Sequence, residues 1–255
     1  MIRSVDNNII HGADLTGDKV IVWSTEKEDF HALHAVKQIK SKFPQSSFND
    51  ILLTALSESL YNYFKQNTDQ IPPSLTVVVP ERRQTIFATE HHGLEINSMQ
   101  NRFSVGMLYL PLLPQTGCER KSSALERLQE VRQQTTFLKN ASDYQINYWL
   151  MRVIVKILPE SMLRAMLYST HSTLVMSNII GPKKVTICDG LSVNDIVFWI
   201  PHRGLTGIGV SVISYDTRLE LGLNVDRALV SNVEDAQNIL DGIFDALKKL
   251  YESIL

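Results

Sequence analysis

Apolar residues recur along this chain at two periods, and the switches between them outline a fold. The stretch 19–23 contains Val-Ile-Val-Trp, β-branched and aromatic, which predicts a short strand. From Asp29 to Phe43 the apolar positions Phe30, Leu33, Val36 and Ile39 fall three apart, the stripe of an amphipathic helix that Pro44 ends. A second helix is predicted from about Asn49 to Gln66, with Leu52, Leu53, Leu56, Leu60, Tyr63 and Phe64 near the 3.6-residue period. Pro72 and Pro73 close that unit. Residues 75–79 form a continuous apolar run, the pattern of a strand buried on both faces. Residues 103–110 alternate as a further strand, bounded by Pro111 and Pro114. Helical patterns then cover 122–138, with Leu125, Leu128, Val131 and Thr135 on one face, 144–157 and 160–168.

The last third changes character. Residues 174–178, 185–188, 195–200, 207–214 and 219–225 all have the composition of strands, and Asp216-Thr217 reads as a tight hairpin between the last two. A strong helix from about Val233 closes the chain, with Ala236, Leu240, Ile243, Leu247, Leu250 and Ile254 in register. No internal repeat or low-complexity linker interrupts this order. One α/β domain over 1–255, with its core over about 20–252, is the expectation: a mixed sheet flanked by helices.

Composition narrows the function. The formal charge of -2 and the absence of a Lys/Arg block argue against a nucleic-acid footprint. Cys118 and Cys188 have neither metal spacing nor a disulfide framework, so a reduced, intracellular setting is expected. The first residues hold polar groups where a signal peptide needs an apolar stretch. The most apolar region, 148–168, is broken by Arg152, Lys156, Pro159, Glu160 and Arg164, well short of the about 20 apolar residues a span requires. Two core helices or a surface-lying amphipathic pair both fit it.

Local motifs have bland readings. Asn49 at a helix start suits an N-cap and Asp50 suits the first turn, while Ser177-Asn178 followed by Gly181-Pro182 suits a strand running into a turn. His31 and His34 stand at i and i+3 without an evident third metal ligand. Ser177 and Ser214 lack the Gly-x-Ser-x-Gly turn of a hydrolase nucleophile, and no phosphate-loop or Gly-x-Gly-x-x-Gly sequence occurs.

The order of motifs is more specific than any one of them. The Trp23 strand, Asn49-Asp50-Ile51-Leu52-Leu53, the strand into Val79-Pro80, and Asn101-Arg102-Phe103-Ser104 leading to Leu110-Pro111-Leu112 come first. Ser177-Asn178-Ile179-Ile180-Gly181-Pro182, Ser214-Tyr215-Asp216, Leu221-Gly222-Leu223 and Asp226-Arg227 follow. This succession resembles the carboxy-terminal half of the wax ester synthase/diacylglycerol acyltransferase family. The resemblance implies half of a chloramphenicol-acetyltransferase-like fold, and fatty acyl transfer from acyl-CoA, as co-substrate, to a long-chain alcohol or diacylglycerol. It implies no metal and no further cofactor.

In that family a His-His-x-x-x-Asp-Gly motif of the amino-terminal half supplies the general base, which must reach the acceptor hydroxyl. Here His91-His92 is followed at the fourth and fifth positions by Ile96 and Asn97, so both histidines read as solvated loop residues and no catalytic residue is expected. The resemblance assigns Asn49, Asp50, Ser177, Asn178, Gly181 and Pro182 to support of the active site. Asp50 would anchor a helix start, and Asn178 and Gly181 would lie near the acyl or CoA portion. Val77, Val79 and Met107 would line the substrate tunnel. Two functions remain open: the carboxy-terminal part of an O-acyltransferase completed by an amino-terminal half, or a non-catalytic lipid-binding or interaction module. Both predict association, with itself or a partner chain. The setting would be cytoplasmic, or peripheral on a membrane or lipid droplet.

Overall fold

Strict alternation along one strand sets the layers. In β8 (Arg218–Asp226) Leu219, Leu221, Leu223 and Val225 are buried on one face, while Glu220, Gly222 and Asn224 point to the other. In the computed structural model, which describes residues 5–26, 29–82, 103–113, 123–140, 153, 156–162, 171–188, 190–201 and 204–255, this strand lies within a six-stranded mixed sheet. Its order is β1 (Lys19–Thr25), β8, β7 (Ile208–Tyr215), β4 (Leu174–Ile180), β2 (Ser74–Arg82), β3 (Phe103–Pro111). The pairs β1·β8, β7·β8 and β2·β3 are antiparallel, whereas β4 runs parallel to both β7 and β2. A separate two-stranded ladder joins β5 (Thr186–Ile187) to β6 (Leu191–Ser192).

Four helices cover the Leu221 face: α1 (Ala32–Lys42), α2 (Phe48–Asn67), α3 (Ala124–Asn140) and α4 (Val233–Glu252). Their apolar stripes and the inward strand residues form one core that includes Val36, Leu56, Leu60, Phe64, Val77, Met176, Leu240 and Leu247. The expected mixed α/β class and its helix-flanked sheet are present. The helices expected at 144–157 and 160–168 lie almost wholly outside the described residues, as do Cys118 and the His91-His92 pair.

One expected strand is absent. Residues 193–201 form no ladder; they cross the second face of the sheet as a strap fixed by side chains. Asn224 Nδ2 donates to the Ile200 carbonyl (3.0 Å), Ser211 Oγ to that of Phe198, and Tyr215 Oη to that of Val193 (2.7 Å). Trp199 Nε1 donates to the Val22 carbonyl on edge strand β1 (3.1 Å), and Arg218 holds Asn194 and Asp195. The strand-like composition of 195–200 therefore leads to no ladder, because the carbonyls of Phe198 and Ile200 accept from side chains instead. The approach needs missing Cβ atoms beneath it. A Cβ on Gly209 would stand 3.0 Å from the Ile200 carbonyl oxygen, and one on Gly222 would stand 2.7 Å from that of Phe198. The expected 185–188 strand shrinks to Thr186–Ile187 because Cys188 (φ 41°) and Gly190 (φ 110°) turn the chain at once.

Two buried carboxyls of β8 behave oppositely. Burial alone would raise the Asp226 carboxyl. Yet Lys19 (2.6 Å), the Ala228 amide and both the hydroxyl and amide of Thr16 donate to it and hold it well below the carboxylate range. Glu220 is fully buried, and neither oxygen has a hydrogen-bond partner among the described residues. Its pKa is pushed up to about 7, first by burial, then by Asp195, with Arg218 opposing and Glu26 adding to the rise. The fold thus holds Glu220 protonated where the unfolded chain would ionise it. Stability should decline as pH rises from about 4.5 to about 7. Glu220→Gln, neutral at every pH, should flatten this decline; thermal melts of both forms between pH 5 and pH 8 check it.

Candidate functional site

The second helix begins earlier than its apolar pattern suggests, and this settles what each motif residue does. Ser47, not Asn49, is the N-cap: its hydroxyl accepts the Asp50 N–H (3.2 Å), and Asp50 Oδ2 accepts the Ser47 N–H (2.7 Å). This reciprocal capping box satisfies two groups that a helix start leaves without partners. With the cap supplied by Ser47, the Asn49 side chain is free for another contact. Asn178 Nδ2 donates to Asn49 Oδ1 at 2.8 Å, across 129 positions of sequence. The two motifs are thus joined directly. Asn178 can reach α2 because it follows Leu174 and Met176 on the helix-facing side of β4, at the end of the buried run.

Asn49 also lines a cleft of about 200 Å³ between the start of α2, the end of α3 and the strands β2 and β3. Phe48, Leu53, Val79, Leu108 and Leu138 form apolar walls, while Asn49, Asp50, Thr135 and Lys139 bring polar groups to it. Asp50 is only 2% exposed, and its Oδ1 has no hydrogen-bond partner among the described residues. The hydrogen bond to Asn178 engages the Asn49 carbonyl oxygen. None of the described histidines lines the cleft. No group of three or more metal-ligating side chains is present among the described residues.

The other expected site residues separate. Val77 is in the core on the same face as Val79. Met107 pairs with Val78 and therefore lies on the opposite face of the sheet from Val79 and Leu108. Ser177, adjacent to Asn178, likewise faces the strap side, beside Ser211. Gly181 and Pro182 tie the end of β4 to the β7–β8 hairpin. Gly181 N–H donates to the Ser214 carbonyl (2.9 Å), the Pro182 carbonyl accepts from Asp216 (3.1 Å), and a Cβ on Gly181 would collide with the Ser214 carbonyl oxygen. The glycine is required by that approach of two backbones.

Arg127 escapes the sequence pattern. It belongs to α3 beside Leu128, yet it is buried, with an ion pair to Glu58 of α2 (3.2 Å). It donates to Ser57 Oγ (2.8 Å) and the carbonyls of Pro111 and Leu112, and its guanidinium stands 5.4 Å from the centre of the Tyr61 ring. Burial lowers its pKa from the ordinary value, and Glu58 opposes that. The residue clamps α3, one wall of the cleft, to α2 and to the end of β3. Nothing in the local pattern marks it, since an arginine flanked by helix leucines normally faces water.

A six-stranded mixed sheet with helices on one face, and an apolar cleft beside the start of α2, define the chain as a mixed α/β protein. Residues 99–251 match the model of the WS/DGAT C-terminal domain, and the chain belongs to that family. No curated protein matches it. The wax ester synthase/diacylglycerol acyltransferase from Marinobacter aquaeolei VT8 is similar in structure (TM-score 0.60, 16% identity), covering 98% of this chain and 52% of that one. The trichothecene 15-O-acetyltransferase from Fusarium sporotrichioides is similar (TM-score 0.61, 11% identity, 94% and 47% covered). So is a nonribosomal peptide synthetase cyclization-docking bidomain from Sorangium cellulosum (TM-score 0.57, 13% identity, 92% and 42% covered). The chain therefore spans about half the length of these two acyltransferases.

The clamp and the bridge give separable predictions. Arg127→Met should destabilise the chain by about 3 kcal/mol, because Glu58 loses its buried partner; urea denaturation measures this. Asn49→Ala and Asn178→Ala should each cost about 1 kcal/mol, and the double variant little more than either, a coupling that the same denaturation curves report.

Proposed function

We propose that the chain is the carboxy-terminal part of an acyl-CoA-dependent O-acyltransferase, which moves a fatty acyl group onto a long-chain alcohol or diacylglycerol. Support comes from one observation above all. In a chain of the WS/DGAT family, the start of α2, tied to β4 by the Asn49–Asn178 bond, lines an apolar cleft whose described lining holds no histidine. The chain then shapes the substrate site and a second half brings the base. In the complete reaction the base takes the proton from the acceptor hydroxyl as its oxygen attacks the thioester carbonyl. The carbon–sulfur bond breaks, the ester leaves, and the coenzyme A thiolate recovers the proton. Acyl-CoA is the co-substrate, and no resident cofactor takes part.

Asn49, Asp50 and Asn178 touch or frame the substrate in this reading, while Gly181, Pro182 and Ser177 hold the strand end that presents Asn178. The partner half has apolar surface to meet: Ile179 and Ile180 at the end of β4, with Ile187 and Leu191 on the small ladder, are exposed, Ile180 by 89%. Among the described residues no helix is long and apolar enough to cross a membrane. Lipid substrates would then reach the cleft in the cytoplasm or at the surface of a membrane or lipid droplet. A non-catalytic lipid-binding or interaction module is the second reading, favoured by the exposed Ile179, Ile180, Ile187 and Leu191.

Labelled acyl-CoA with hexadecanol or diacylglycerol distinguishes them. The chain mixed with an amino-terminal half from a family member should form ester, and the chain alone should not. Ester from the chain alone would show that the base is already present. No ester from an associated mixture would leave the module reading.

A further inference from the structure

The free edge of β1 offers chemistry that the cleft does not use. β1 closes one side of the sheet, at the end opposite the strands β2 and β3 beside the cleft. It pairs with β8 in unbroken register from Lys19 to Thr25. The Arg227 N–H donates to the Asp18 carbonyl and the Glu26 N–H to that of Leu219. In step with these, Val20, Val22 and Ser24 turn their backbone groups toward β8. Lys19, Ile21 and Trp23 therefore turn theirs outward, where no described strand pairs with them. Trp199 reaches the Val22 carbonyl, on the β8 side, and leaves the outward groups clear. Gln237 Nε2 approaches the Trp23 carbonyl at 3.4 Å, and that oxygen keeps a second lone pair.

This edge lacks the usual guards. Soluble proteins blunt a free strand with an outward lysine, a proline or a bulge. Here Lys19 bends back to Asp226 at 2.6 Å, and Lys19–Thr25 contains neither proline nor bulge. Val20 and Val22 are buried toward the helices, so Lys19, Ile21 and Trp23 share the strap face. On that face Ile21 is 51% exposed and Trp23 59%. Trp199 of the strap stands edge-on to Trp23, with ring centres 6.3 Å apart, and widens the apolar surface. Outward backbone groups and apolar side chains are thus offered together, the combination that strand addition uses.

The strand's own sequence identifies its partner. A two-fold axis through Ile21 brings a second copy antiparallel, with Ile21 opposite Ile21 and Lys19 opposite Trp23 on either side. All three are outward-facing positions, so each such pair can exchange two hydrogen bonds. Trp23 then meets the methylene stem of Lys19, whose ammonium Asp226 already holds, and the two Ile21 side chains meet each other. No like charges face each other between positions 19 and 23. We propose that β1 pairs with β1 of a second copy of this chain, joining two six-stranded sheets into one continuous sheet. The pairing stands apart from the acyl-transfer reading, because the cleft lies at the far edge of each sheet.

Sedimentation velocity of the full 255-residue chain reads the pairing. The unaltered chain should be dimeric at about 100 μM, and a monomer there overturns the proposal. Ile21→Glu and Ile21→Lys each set like charges directly opposite at the axis, so each alone should be monomeric. Mixed in equal amounts, the two variants should dimerise again, because opposite charges then meet at the axis. That rescue requires position 21 of one copy to face position 21 of the other. A dimer that persists in either charged variant, or a mixture that stays monomeric, overturns the proposal. Binding of the unaltered chain to phosphatidylcholine vesicles in place of dimerisation would assign Ile21 and Trp23 to a lipid surface, and overturns it equally. Ester formation by the reconstituted halves bears on the acyl-transfer reading alone.

Discussion

The start of α2 is where the structure's local and long-range demands meet. A reciprocal bond between Ser47 and Asp50 satisfies the helix terminus within four residues. Because that need is met locally, Asn49 can spend its side chain on Asn178, and β4 is locked to the helix layer at the point where its apolar run ends. The parallel strand β4 joins two antiparallel blocks, β1·β8·β7 and β2·β3. A contact that fixes its carboxyl end therefore fixes the edge over which the cleft opens.

Buried charge is handled in three ways around this frame. Asp226 is surrounded by donors and an ammonium, so it stays ionised and fastens the chain at Thr16–Lys19 to the end of β8. Arg127 is matched by Glu58 and by carbonyls, and binds three elements together. Glu220 has neither arrangement and resists ionisation beneath the sheet's second face. The strap crosses Gly222 at residues 197–198 and Asn224 at Ile200, while Arg218 holds its start, so the Glu220 position lies under it by register. These differences follow from the count of donors within reach, since burial opposes ionisation in all three.

The layers were legible because periodicity reports burial directly. Leu52, Leu56, Leu60 and Phe64 face the core as their spacing requires, and the run 75–79 is the central strand that an unbroken apolar sequence implies. Where pattern misled, the reason is specific. The strap has a strand's composition but is bonded to Asn224, Ser211 and Val22, partners that no local window contains. Arg127 looked solvent-facing until tertiary packing supplied its acceptors.

The residue order by itself determined most of the described strands and helices, the mixed α/β class and the family, because hydrophobic period and the succession of short motifs are properties of the chain. It singled out Asn49, Asp50 and Asn178 without showing what joins them. Only the folded chain decided that Ser47 caps the helix, that Asn49 meets Asn178, and that one oxygen of Asp50 is buried with no hydrogen-bond partner among the described residues. The physical reason is that a cap is chosen by the local chain, whereas a hydrogen bond across 129 positions exists only once the sheet has set its register.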